Sequence, residues 1–72
     1  MNELDAALLA AHANDDKVAL VDLYRQAANS ADEPQAVSFY LTHAYIFALE
    51  TAHPSAAELR ARLVDMGCED PD

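Results

Sequence analysis

Seventy-two residues carry thirteen acidic and four basic side chains, a formal charge of −9. Phosphate backbones and anionic membrane surfaces are bound through clustered lysine and arginine. Lys17, Arg25, Arg60 and Arg62 are scattered, so the composition argues against both partners. One cysteine forbids an internal disulfide, and one glycine forbids a phosphate-cradling loop.

A chain this short makes one domain, here residues 1–67, and buries only about 60% of its unfolded surface. Lone Cys68 fits a reducing cytoplasm, and Met-Asn-Glu-Leu-Asp lacks the basic and apolar regions of a secretion signal. No apolar run is longer than that from Ala44 to Leu49, far shorter than the roughly 20 residues of a membrane span. Sixteen alanines and one glycine favour helix, and no strand-like alternation persists. The expected class is all-α.

The first helix is expected to start after Asn2, a good cap. Leu4, Ala7, Leu8 and Ala11 form its apolar face, widened by Leu9. Asn14-Asp15-Asp16 should stop it and cap the next. The second helix then spans about Asp16 to Asn29. Leu20, Leu23, Tyr24, Ala27 and Ala28 lie on one side, and Asp22 and Arg25 face water.

Asp32 is expected to cap the third helix, with Pro34 in the first turn and Gln35 near a capping-box position. This helix runs to about Thr51, and His53-Pro54 breaks it. It is apolar on almost every side, which calls for neighbours on several sides. Ser55 and Glu58 form the clearest capping box and open the fourth helix. Leu59, Leu63 and Met66 give its buried stripe, flanked by Val64, and Gly67 ends it. Residues 68–72 read as an acidic, disordered tail.

A shift of 39 residues lays Asp16 on Ser55, Leu20 on Leu59, Tyr24 on Leu63 and Ala27 on Met66. Leu20, Tyr24 and Ala27 have large–aromatic–small spacing, and the run Leu23-Tyr24-Arg25-Gln26-Ala27-Ala28 is especially suggestive. Leu41, Thr42 and Tyr45 follow in the pattern of a first repeat helix. On these residues the chain resembles tetratricopeptide and Sel1-like repeats. The resemblance spans Leu4 to Met66 and is loose: the glycine of the first helix is absent, and Asp32 stands where proline is common. It implies four helices as two stacked antiparallel pairs in a right-handed superhelix. It also places Thr42 at a close helix approach.

No loop of the kind that holds a nucleophile beside its base is present, Cys68 lacks a cationic neighbour, and the three histidines lack metal-ligand spacing. The expectation is therefore a non-enzyme without metal or cofactor. The resemblance implies a concave groove in which Asp5, Leu9 and His12 join Phe39, His43 and Ile46, with Phe47 at an edge. Such a groove suits a peptide or helix of a protein partner. The alternatives are a homodimer packed through the third helix and an acidic inhibitor of a basic or nucleic-acid-binding protein. None of the three requires the chain itself to contact nucleic acid or membrane.

Overall fold

The computed structural model describes residues 3–67 and holds four helices there: α1 (Glu3–Ala13), α2 (Lys17–Ser30), α3 (Pro34–Glu50) and α4 (Ala56–Asp65). The fold is an all-α, four-helix bundle. Asn2 as a cap and the 68–72 tail lie outside the described residues.

Glu3 and Asp5 place negative charge at the positive end of α1. The helix ends in a left-handed turn at Asp15, φ 54°. There the Asp15 N–H donates to the His12 carbonyl (3.1 Å) and the Asp16 N–H to the Ala11 carbonyl (2.9 Å). This pair of bonds satisfies carbonyls that the helix end leaves open. Asp16 then caps α2, its Oδ1 accepting from the Ala19 N–H at 3.2 Å.

The start of α3 differs from expectation. Glu33, not Asp32, is the flanking residue, and no side chain caps the helix. Pro34 explains the shift. It takes the first helical position and forces the residue before it into extended backbone, φ −98° and ψ 136°. At its other end α3 repeats the turn of α1. Ala52 is left-handed, φ 52°. Its N–H donates to the Leu49 carbonyl (3.3 Å), and the His53 N–H to the Ala48 carbonyl (2.8 Å).

The Ser55–Glu58 capping box does not form. Ser55 already has helical backbone, φ −73° and ψ −9°, so its hydroxyl does not bond the first-turn amides. Arg25 takes both members instead. Its Nη1 donates to Ser55 Oγ at 3.1 Å, and its Nη2 donates to both Glu58 oxygens at 3.0 and 2.8 Å. The Ser55 N–H donates to His53 Nδ1 at 3.0 Å. Arg25, expected to face water, is thus half-buried on the α2–α4 seam. Arg62 adds a second tie, donating to Asn29 Oδ1 at 3.0 Å.

Backbones approach closely only between helices adjacent in sequence. The result is a shallow slab with extents of 35 × 28 × 13 Å. Its core joins Val21 and Ala28 of α2, Leu41, Ala44 and Ala48 of α3, and Leu59 and Leu63 of α4. The alanines let α2 and α3 lie close, because interaxial distance follows side-chain size at the contact.

Four expectations are corrected by this packing. Helix α3 has helical neighbours on two sides only, α2 and α4. It leaves Phe39 (55%), Ile46 (46%) and Leu49 (57%) exposed. Thr42 is exposed and bonds back to the Ser38 carbonyl at 2.7 Å, so it does not mark a close helix approach. Met66 is 37% exposed, because α4 stops at Asp65 and Gly67 turns the chain at φ 77°. Val21, absent from the expected stripe of α2, is fully buried. Among the described residues no helix is long and apolar enough to cross a membrane.

Candidate binding cleft

Helices α1 and α3 both pack on α2, and their backbones stay apart. A cleft runs between them with α2 as its floor. At one end an open depression of about 540 Å³ is lined by Leu4, Asp5 and Leu8 of α1, Ala27 of α2, and Ala36 and Tyr40 of α3. The connection Ser30–Glu33 closes that end, bringing Asp32 and Glu33 to the rim. A second depression of about 410 Å³ adjoins it, sharing Asp5 and Leu8 and adding Leu9, His12 and Tyr24.

Tyr24 is the centre of the cleft. Its phenol shares a hydrogen bond of 2.8 Å with His12 Nε2. Its ring stacks on Phe47 at 6.0 Å and lies 5.3 Å from His43 and 6.2 Å from Tyr40. The His12 ring meets Tyr24 and Phe47 edge-on, which ties α1 to α3 through side chains alone. Such aromatic pairs add stabilisation beyond area burial, about 0.5–1.5 kcal/mol each when well packed.

Of the residues singled out in the sequence, Asp5, Leu9 and His12 line the cleft directly. His43 and Phe47 line neither depression and touch Tyr24 by ring contact, and Phe39, also outside the lining, lies 4.3 Å from His43. Ile46 lines neither depression and stands on the exposed side of α3. Leu8, Asp32, Glu33 and Tyr40 of the first depression were missed, and so was Tyr24, taken as core from its place in the apolar stripe of α2. Nothing local marks Tyr24, because its partners lie 12 to 23 positions away on two other helices.

The His43 Nδ1–H donates to the Phe39 carbonyl at 2.9 Å, a direction set by the carbonyl, which can only accept. Burial, and after it the neighbouring Tyr40, raise the Tyr24 phenol above its ordinary 10.0. That is the opposite of the lowered pKa that activates a nucleophile. The hydroxyls of Ser38, Thr42 and Thr51 are spent on carbonyls of their own helix. Among the described residues no group of three His, Cys, Asp or Glu side chains could hold a metal ion. No protein-family model, curated protein or solved structure matches the chain.

Proposed function

We propose that the chain is a non-catalytic interaction module of tetratricopeptide or Sel1-like kind, which binds a peptide or helix of a protein partner between α1 and α3. The observation that carries this reading is the cleft itself. It has an apolar and aromatic floor, is open along its length, and has polar groups at the rim. The paired turns support the repeat. Asp15 and Ala52 are both left-handed, 37 residues apart, and each closes its helix with the same two bonds. Asp16 and Ser55, the residues that flank the starts of α2 and α4, are 39 apart, so the second turn is longer by two residues.

The test is partner capture by the tagged protein, with Phe39→Ala and His43→Ala beside the wild type. Both side chains are at least partly exposed, so the fold should survive. Loss of the captured protein in either variant supports the cleft and the α3 rim beside it. Undiminished capture by both removes the assignment.

A homodimer through α3 is the second reading. The exposed Phe39, Ile46 and Leu49 favour it, because large apolar side chains grouped on one helix mark association surfaces. Light scattering over a dilution series separates the two readings. A dimer that persists on dilution and is lost in Leu49→Lys assigns that face to self-association.

A further inference from the structure

We infer that the cleft between α1 and α3 selects a cationic amphipathic helix, seating its apolar face on Leu8, Tyr24 and Tyr40 and its lysine or arginine side chains against Asp32 and Glu33. The inference rests on the docking reading above and adds the charge and direction of the occupant.

The argument is the distribution of charge. Neither wall of the cleft carries a lysine or arginine: α1 is Glu3–Ala13 and α3 is Pro34–Glu50. Lys17 pairs with Glu50 at 2.8 Å, Arg25 with Glu58 at 2.8 Å, and Arg62 donates to Asn29. The acidic groups of the cleft are gathered at the end where the α2–α3 connection meets the first turn of α1. Carboxylates near helix N-termini are favoured by the helix dipole whatever their use. The dipole does not account for the absence of lysine and arginine from both walls. In a chain of charge −9 that cleft repels an acidic helix and attracts a basic one. The opposite end holds Asp15, Asp16 and the Lys17–Glu50 pair, none of which lines either depression. The carboxylates at the rim are Asp32 and Glu33, so the cationic side chains of the occupant lie over them.

The test uses two labelled synthetic peptides of about four helical turns, with one Leu/Ala face and either lysine or glutamate at the polar positions. Binding is read by fluorescence anisotropy at low and high salt. The wild type is compared with Asp32→Asn/Glu33→Gln, with Asp22→Asn/Asp65→Asn as a charge-matched control away from the cleft, and with Ala36→Arg, which fills the cleft with a cation. Circular dichroism confirms that each variant is folded.

The expected result is binding of the lysine peptide at least about tenfold tighter than the glutamate peptide. The Asp32/Glu33 variant should lose about three- to tenfold and show a flatter salt dependence. The control should change less than about twofold, and Ala36→Arg should abolish binding. Equal losses in the control and the Asp32/Glu33 variant would overturn the inference, since attraction would then belong to the chain as a whole. Equal binding of both peptides, lost in Ala36→Arg, overturns the charge selection and leaves the docking reading standing. Binding of neither peptide overturns both. A dimer that Ala36→Arg converts to monomer gives the cleft to a second copy and overturns the inference.

Discussion

Arg25 on α2 grips Glu58 on α4 with one terminal nitrogen, which donates to both carboxylate oxygens, while the other terminal nitrogen donates to Ser55. The backbones of α2 and α4 do not approach closely, so this side chain and Arg62 are their hydrogen-bonded links. Arg25→Ala should lower stability by about 1–2 kcal/mol, a figure already reduced for the exposure of Glu58. Arg25→Lys should recover little of it, because one ammonium cannot serve Ser55 and Glu58 in the fork geometry of a guanidinium. Urea midpoints of Arg25→Ala, Ser55→Ala and the double variant decide what Ser55 does. If it serves Arg25, the Ser55→Ala penalty vanishes in the Arg25→Ala background. A penalty that persists would mean that Ser55 caps α4 after all.

The same residues mark how far the fold can be read from the chain. Signals that act within a few positions are legible: Asp16 as a cap, Pro34 at the first turn, Gly67 as a stop and the break at His53-Pro54. Ser55 and Glu58 have the right local spacing, yet a residue 30 positions away captures them. Met66 has the right period, but the helix ends before it. The cleft follows the same rule. Its α1 wall, Asp5, Leu9 and His12, is what the resemblance to helical repeats implies for a first helix. Its floor could not be named, because Tyr24 is placed by rings of α1 and α3 together. Apolar periodicity shows which side of α2 is covered, and it does not show whether the cover is complete.

Ala52 holds a left-handed conformation that costs an L-residue about 1–2 kcal/mol. Its side chain is exposed, so nothing is lost by removing it. Ala52→Gly should therefore stabilise the protein by about 0.5 kcal/mol, after the greater freedom of glycine in the unfolded chain is subtracted. Asp15→Gly should gain less, because aspartate tolerates this conformation better. Thermal melts of both variants check the order. A fall in Tm for Ala52→Gly would contradict the left-handed turn.

Leu41, Leu59 and Leu63 are fully or almost fully buried, whereas Leu49 is mostly exposed on the same bundle. Leu41→Ala should cost about 2–5 kcal/mol through lost transfer energy and the cavity left between α2 and α4. A chain of this length has a stability of only about 4–10 kcal/mol. Much of the Leu41→Ala protein should be unfolded at moderate temperature. Leu49→Ala should stay within about 0.5 kcal/mol of the wild type. Circular dichroism at 222 nm through a urea series, with 222 nm being roughly the usual helix band, measures both. Similar midpoints would mean that α3 is packed the other way round.

The protein should lose stability in alkali for two separable reasons. Burial, then Tyr40, raise the Tyr24 phenol above 10.0. The hydrogen bond to Glu50, then the charges of Glu50 and Asp15, raise the Lys17 ammonium above 10.5. Both folded values exceed the unfolded ones. The stability they represent is therefore fully present below about pH 10, and it is lost as pH rises through the raised values, where the unfolded chain releases its protons first. Salt tells the two apart. Lys17 is exposed, and at about 1 M ionic strength charges interact over only about 3 Å. Its part of the alkaline loss should shrink there, leaving what the 2.8 Å hydrogen bond to Glu50 supports. The Tyr24 part rests on burial and should persist in salt, and Tyr24→Phe should flatten it. The quantity to read is the slope of Tm against pH, since Tyr24→Phe also gives up the His12 hydrogen bond and lowers the whole curve. An alkaline slope in high salt that is unchanged in Tyr24→Phe would show that the phenol is not desolvated between α1 and α3.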